Sequence, residues 1–440
     1  MQRILVLGAG LSSSYLIHYL LQHAHSGMLQ ITVADASAET AQQKVAGHDY
    51  AHAVAIDVND VYELSLLVKE HDIVISLMPP ALHIRVAKAC IEHKRHLITA
   101  SYVSDEMRAL HSEAIKANVL LLNEAGLDPG IDHMSAMQII HGIQKNGGTI
   151  TSFSSYTGGL IAPEYDTNPW HYKFTWNPRN VVLAGQATAS YLEQGELKYI
   201  PPARIFTQTQ LVNVQGVNYE GYANRDSLSY IKPYGIETAH TVLRGTLRMQ
   251  GYCSSWNHLI RLGLTDDSFT VKDAHRLSYR QLLSAFTPGS DISKLEYRVC
   301  KFLDILPDSE SFGKLQWLGL FSDDNINIRE GSPAQILQLL LQQKWKLNKG
   351  DLDQIVMLHR ITYELNGQHR THQTSLVVRG ENEKLTAMAK TVGLPMGIAA
   401  RLLLEGKLNG AGVQIPIYAA MYKPILAELE KYGIVFVDEV

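Results

Sequence analysis

The first 35 residues constrain this chain more than any other stretch. Ile4-Leu5-Val6-Leu7 is a short apolar run of the kind buried on both faces of a parallel sheet. It breaks into Gly8-Ala9-Gly10-Leu11-Ser12-Ser13, after which apolar residues at Tyr15, Leu16, Tyr19 and Leu20 recur at helical spacing. A second apolar run, Ile31-Thr32-Val33-Ala34, ends on Asp35. Strand, glycine turn, helix, strand and terminal acid, the acid roughly 20 residues past the glycines, make up a dinucleotide-binding unit. Gly8 allows the tight turn and Gly10 lets the backbone approach a pyrophosphate. The start of the helix offers free N–H groups to the phosphates. Gly8, Gly10, Leu11, Ser12 and Asp35 are therefore the expected cofactor contacts. Ser13 replaces the third small residue of the fingerprint and is itself small enough for close packing of helix on strand.

The strand and helix pattern continues with period and turn signals suited to an open parallel sheet. Ala51 to Ile56 reads as a strand ending on Asp57, where such folds approach the adenine; the helix before it is expected to end near Ala46. Ile73 to Ser76 is a further strand, and Met78-Pro79-Pro80 turns the chain over the cofactor with few donors. Strand His96 to Ala100 runs into Ser101-Tyr102, and Val119 to Leu122 into Asn123-Glu124-Ala125-Gly126-Leu127-Asp128-Pro129-Gly130. Ligands of open parallel sheets sit outside the carboxyl ends of the strands, so these segments are expected to converge on one crevice. The later chain reads as a mixed sheet and a block of helices. Strands are expected at 150–155, 204–211 and 240–250, and helices at 181–192, 273–285, 294–306, 312–321 and 333–343. A hairpin follows, 354–365 and 369–378 around Asn366-Gly367, with helices at 383–392 and 397–405. These helices, with Pro424 to Tyr432 and a final strand at 434–437, are expected to pack back onto the first domain. The fold class is thus α/β: a Rossmann dinucleotide-binding domain, a mixed-sheet α/β substrate domain and a helical insert.

Composition excludes some partners. A formal net charge of −4 is unsuited to the phosphates of a nucleic acid, and no uninterrupted apolar run reaches the roughly 18 residues of a membrane span. Cys90, Cys253 and Cys300 are odd in number and far apart, as expected of reduced core residues in a cytoplasmic protein. His93 with His96, or His369 with His372, could chelate by spacing alone. Neither pair has a nearby Cys or carboxylate in a zinc pattern, so no metal site is expected.

The middle of the chain concentrates guanidinium groups: Asn224-Arg225-Asp226-Ser227 and Arg244-Gly245-Thr246-Leu247-Arg248. In a strand, Arg244 and Arg248 share one face. Either both are solvated or an anion lies between them, and a substrate with several carboxylates would supply it.

These segments, with Ser101-Tyr102, Gly126 to His133, Gly158-Gly159, Pro163-Glu164, Asn168-Pro169, Tyr172 to Trp176, Arg244 to Gly251, Trp317-Leu318-Gly319 and Ala387 to Lys390, resemble the glutamate-forming saccharopine dehydrogenase (saccharopine reductase) family. The resemblance runs over nearly the whole chain, in order. It implies a dinucleotide-binding domain over 1–128 completed by 391–440. A substrate-binding and dimerisation domain would span 129–265 and 350–390, with an all-helical insert over 266–349. It implies a homodimer acting on the small molecule saccharopine. Ser101 and Tyr102 would touch substrate and nicotinamide, and Asp128 would sit at the reacting amine. Met78, Pro79, Leu127 and Trp176 would line the cofactor side, and Arg225, Thr246, Leu247 and Arg248 would hold carboxylates, with Arg244 near them. Thr157 stands where relatives carry a cysteine, so that thiol cannot be required here.

Fungal relatives place a basic residue just after the second strand, suited to a 2′-phosphate. Here Ala34-Asp35-Ala36 has no Lys or Arg until Lys44. A carboxylate accepts hydrogen bonds from ribose hydroxyls and repels a phosphate, so NAD is expected in preference to NADP. The implied reaction is oxidation of a secondary amine, whose proton must be taken by a base. Asp128, Tyr102 and His133 are the candidates in that order, with bulk water as an alternative. A lysine or carboxyspermidine dehydrogenase on the same scaffold would need fewer carboxylate clamps. A non-catalytic NAD-sensing module would not need some 250 further residues to build a polar cleft.

Overall fold

The structure, a computed structural model, describes residues 1–24, 29–45 and 47–439. Strands β1 (Gln2–Leu7), β2 (Leu29–Asp35), β3 (Ala51–Ala55), β4 (Ile73–Ser76), β5 (His96–Thr99) and β6 (Leu120–Leu122) form an all-parallel sheet. Their spatial order is β6-β5-β4-β1-β2-β3, and Gly412–Gln414 from near the C-terminus extends it beside β6. Ile4 to Leu7 are fully buried, as an apolar run must be when helices cover both sheet faces. The strand order reverses between β1 and β4, so their carboxyl ends open a crevice. The expected end of the second helix at Ala46 lies outside the described residues.

A second, mixed sheet follows. It is built from β7 (Thr149–Ile161), β8 (Ala189–Glu193), β9 (Glu196–Ile200), β10 (Thr209–Val214), β11 (Val217–Ala223), β12 (Thr241–Met249), β13 (Asp353–Leu365) and β14 (Gln368–Arg379). β7 and β12 run parallel at its centre, and their neighbours are antiparallel. The β13–β14 hairpin turns through Asn366 (φ 54°) and Gly367 (φ 74°), the left-handed pair that a tight hairpin needs. Between β12 and β13 the helices Tyr279–Phe286, Leu295–Leu303, Glu310–Leu318 and Pro333–Lys344 pack against one face. Two of them start with reciprocal caps, Ser278 with Gln281 and Ser332 with Gln335.

Three expectations fail for identifiable reasons. The helix expected over 181–192 is only Pro178–Val182. Gly185 follows at φ 84°, and Gln194-Gly195 then turns β8 onto β9. The two helices expected over 383–405 are one, Ala387–Leu404, continuous across Pro395. Its glycines are packing devices: a Cβ on Gly393 would meet Leu16 N at 2.8 Å, and one on Gly397 the Tyr19 ring at 2.8 Å. They let it lie directly on helix Ser13–Ala24. This helix is apolar and long enough to cross a membrane, and 72% of it is buried inside the fold. Finally, helix Ala387–Leu404 and Gly412–Gln414 pack onto the first domain as expected, but the last strand, Val437–Glu439, pairs with β14 of the second sheet.

Candidate active site

The glycine turn lies where β1 and β4 part. Gly8 holds φ 102°, and a Cβ there would meet the Leu77 carbonyl group at 3.2 Å, so conformation and space both require glycine. A Cβ on Gly10 would have nothing within 4 Å, which leaves the turn open on the side from which a pyrophosphate approaches. Leu11 and Ser12 reach solvent at this turn, while Ser13 is buried and donates to the Gly10 carbonyl at 2.8 Å. A turn of this shape at a helix N-terminus fits a dinucleotide. Asp57 is exposed, and its Oδ1 accepts both N–H groups of Asn59 at 2.9 Å. Met78 is half-buried and Pro79 exposed in the next loop.

Behind that loop, His83 ties two strand ends together. Its Nδ1 pairs with Ser76 Oγ at 2.9 Å and its Nε2 with Ser101 Oγ at 2.7 Å. Burial pushes this imidazole down to about 4, so it stays neutral and holds Ser101 at the crevice.

The second sheet closes over these strand ends and leaves a cleft of about 1140 Å³. Tyr102, Glu124, Arg225, Tyr230 and Arg244 line it, with the chain from Val413 to Tyr418. Its charged centre is Arg244, projected from β12 and 4% exposed. Its Nη2 donates to Asp128 Oδ1 and to Asp132 Oδ2, each at 2.5 Å, and the guanidinium lies 4.4 Å from the centroid of the Tyr230 ring. Asp128 is at the tip of the Gly126–Gly130 turn, whose Asp128–Pro129 peptide is cis. A Cβ on Gly130 would fall 2.0 Å from the Gly126 carbonyl oxygen, so the turn closes only with glycine there. Tyr102 donates toward Asp128 Oδ1 at 3.5 Å, and Thr157 of β7 stands against the same carboxylate. Burial pushes the Asp128 carboxyl up against the pull of Arg244. It also pushes the Tyr102 hydroxyl up, so that phenol stays protonated.

Other expected residues fall around this centre in different ways. Arg225 is exposed in the cleft, 5.6 Å from the centroid of the Tyr102 ring, and among the described residues no carboxylate pairs with it. Arg248 lies four residues along β12 from Arg244, about 13 Å at strand spacing. It is 5% exposed among the rings of Tyr172, Tyr222 and Tyr252, at 5.2, 6.0 and 5.4 Å. Its Nη1 donates to the Leu247 carbonyl at 2.9 Å, and its buried Nε has no partner. Thr246 lies between the two arginines on the same face. Leu127 is buried, and Trp176 is half-buried against both cores.

Three expectations need correcting. Arg244 is not a free carboxylate clamp, because two aspartates brought from another element already take its charge. Leu247 is fully buried; strand alternation turns its side chain to the face opposite Arg244, Thr246 and Arg248. His133 is also fully buried, with Nε2 on Glu124 Oε2 at 2.7 Å and Nδ1 on the Tyr234 hydroxyl. Neither nitrogen is left for a substrate proton.

Sequence reading passed over Glu124, Asp132 and His83. Glu124 accepts the Val103 N–H at 3.0 Å and the Tyr230 hydroxyl at 3.1 Å, besides His133. Burial opposes its charge, yet His133 and the Val103 N–H hold its carboxyl below the usual range. The available signal was an acid two residues past the carboxyl end of a parallel strand.

Comparison with known proteins agrees with this geometry. Residues 4–122 match the family described as the Saccharopine dehydrogenase NADP binding domain, and residues 126–434 the Saccharopine dehydrogenase C-terminal domain. The chain is 37% identical over 447 residues to the mitochondrial Alpha-aminoadipic semialdehyde synthase of Bos taurus, covering 100% of this chain and 48% of that protein. It thus spans about half the length of that relative. It is 34% identical over 450 residues to the Schizosaccharomyces pombe Saccharopine dehydrogenase (NADP(+), L-glutamate-forming), covering 100% and 99% of the two. The solved structure of apo saccharopine dehydrogenase (L-Glu forming) from Saccharomyces cerevisiae superposes over 100% of both chains, with 31% identity and a TM-score of 0.88.

These matches overturn the expectation of NAD, since the family domain and the fungal names both point to NADP. The structure shows why Asp35 misled. Its Oδ2 accepts the Ala9 N–H at 2.8 Å and its Oδ1 the Ser37 N–H at 3.0 Å. The carboxylate pins the glycine turn to the end of β2, so its presence says little about which ribose substituent is read. With both halves of the chain matched and a fungal relative aligned from end to end, the chain belongs to the saccharopine dehydrogenase family.

Proposed function

We propose that this chain uses NADP to oxidise the secondary amine of saccharopine to L-glutamate and 2-aminoadipate 6-semialdehyde, or forms the same carbon–nitrogen bond reductively. The names of its full-length fungal relatives support the reading. The observation that carries it is the pair of arginines without protein carboxylates, Arg225 in the cleft and Arg248 with its unpartnered Nε. An amine with carboxylates at both ends satisfies both, each charge-assisted hydrogen bond being worth about 1.5–3 kcal/mol.

Gly8, Gly10, Leu11 and Ser12 would hold the pyrophosphate, and Met78, Pro79, Ser101, Leu127 and Trp176 would border the nicotinamide. When bound, the nicotinamide supplies the acceptor for the hydride leaving the carbon beside the amine nitrogen. The amine must be neutral at that moment, because an ammonium has no lone pair to share. Asp128 takes its proton: it lies between Tyr102 and Arg244, which line the cleft, and burial raises its proton affinity. Tyr102, held protonated, donates toward Asp128 and orients it. Arg225 and Arg248 grip the ends of the substrate, and hydrolysis of the new carbon–nitrogen double bond separates the products. Assembly as a cytoplasmic homodimer belongs to the same reading, and light scattering tests the assembly.

The test is a steady-state assay with saccharopine and either NADP or NAD. Turnover with lysine but not saccharopine would replace the reading with that of a simpler amine dehydrogenase. Asp128→Ala should lower kcat by about 10²-fold or more; a drop below about threefold removes Asp128 as the base.

A further inference from the structure

One guanidinium nitrogen, Arg244 Nη2, serves two carboxylates at the same 2.5 Å, and those carboxylates are not equivalent. Asp132 is 2% exposed in the first turn of helix Ile131–Lys145, and its Oδ1 accepts the Gly130 N–H at 2.6 Å. Nδ1 of His133 lies 3.8 Å from the same oxygen. A helix N-terminus and a short N–H bond both favour an anion. Asp128 has neither aid. Apart from Arg244 it has the Tyr102 hydroxyl at 3.5 Å and Thr157 beside it, and its side chain keeps 15% exposure.

We infer that Asp132 is a positioning residue that divides the charge of Arg244, so that Asp132 stays anionic and Asp128 keeps the proton affinity of a working base. This rests on Asp128 as the base in the reading above. With Arg244 to itself, Asp128 would be a fully paired carboxylate, its pKa pulled down by the undivided guanidinium charge, and a poor base. A fixed anion sharing the cation removes much of that depression and adds like-charge repulsion. The groups facing Asp128 are Tyr102 from the end of β5, Arg244 from β12, Thr157 from β7, Asp132 and His133 from the helix, and Tyr234; Glu124 and Arg225 act on Arg244 and Tyr102 in turn. The electrostatics agree in direction. Burial raises Asp128, whereas for Asp132 the same burial is outweighed by His133, Arg244 and the Gly130 N–H.

The test is Asp132→Asn, read in two ways. The acid limb of the pH profile of kcat/KM reports the protonation that silences Asp128. It should move to lower pH by about one unit or more, because Arg244 then serves Asp128 alone. Infrared titration of the protonated-carboxyl band, assigned by its loss in Asp128→Asn, should show the same downward shift without turnover. A band that moves while the kinetic limb does not would keep the inference and remove Asp128 as base. A lowered rate with band and limb both unmoved, or moved up, overturns the inference and leaves Asp132 a purely structural role. Asp132→Ser, which keeps an acceptor for Gly130, gives the same readings if the asparagine variant fails to fold. In the unaltered protein, an Asp128 band titrating at or below the ordinary carboxylate range overturns it as well.

Discussion

Replacing Arg248 by Met separates substrate binding from fold. The guanidinium is 5% exposed, with one hydrogen bond to a carbonyl, three aromatic faces and an unpartnered Nε. Methionine fills a similar volume and removes the charge. If Arg248 holds a substrate carboxylate, the variant loses at least one charge-assisted hydrogen bond, about 1.5–3 kcal/mol. At 1.4 kcal/mol per tenfold, KM for saccharopine should rise about 10- to 100-fold. The clamp lies about 13 Å along β12 from Arg244 and grips ground and transition states alike, so kcat should change by less than about threefold. The fold should survive. Lost cation–π contacts, about 2 kcal/mol each at a desolvated site, and the bond to the Leu247 carbonyl are opposed by relief of a buried guanidinium and its unpartnered donor, several kcal/mol, leaving a net change of about 2 kcal/mol or less. Steady-state kinetics and urea unfolding of the same preparation supply both numbers. An unchanged KM refutes the clamp, and an unchanged KM with a loss of about 3 kcal/mol or more assigns Arg248 to the fold alone.

Gly10→Ala should leave unfolding unchanged, because a Cβ there meets nothing within 4 Å, yet weaken NADPH binding by about tenfold or more in a fluorescence titration; unaltered affinity would show that no phosphate approaches this turn. Lys173 and Asp351 form a 2.7 Å pair with side chains 3% and 10% exposed, so Lys173→Met strands a buried carboxylate and should cost about 3–5 kcal/mol in denaturant unfolding. His83 is depressed to about 4 by burial, so the unfolded chain binds its proton first on acidification. The stability it contributes is whole above about pH 6.5 and is lost as pH falls through about 4, roughly 3 kcal/mol in all. His359, likewise buried and held near 4, acts in the same window. His83→Gln should make stability fall less steeply across that window in urea melts, and an unchanged slope would show that His83 is not held neutral.

Legibility followed the range of the forces involved. The glycine turn, the strand ends at Ser101-Tyr102 and Asp128, and the Asn366-Gly367 hairpin are local chemistry, set by conformations that few residue types allow. The breakers inside Ala387–Leu404 misread for the opposite reason. Gly393 and Gly397 look like interruptions until helix Ser13–Ala24, some 370 residues earlier in the chain, lies against them. His133 and Leu247 belong to recognisable motifs, but burial put both out of reach of a ligand. Asp35 kept its place at the end of β2 and turned out to be occupied by two backbone N–H groups.

By itself the sequence determined a doubly wound dinucleotide unit followed by an arginine-rich second sheet, because turns, strand alternation and buried runs are written in neighbouring residues. Only the tertiary structure decided which charges neutralise one another. Arg244 meets Asp128 and Asp132 across more than a hundred residues, whereas Arg225 and Arg248 meet no carboxylate among the described residues. Charge pairing depends on distance in space and on exclusion of water, and neither exists until the two sheets have closed on each other.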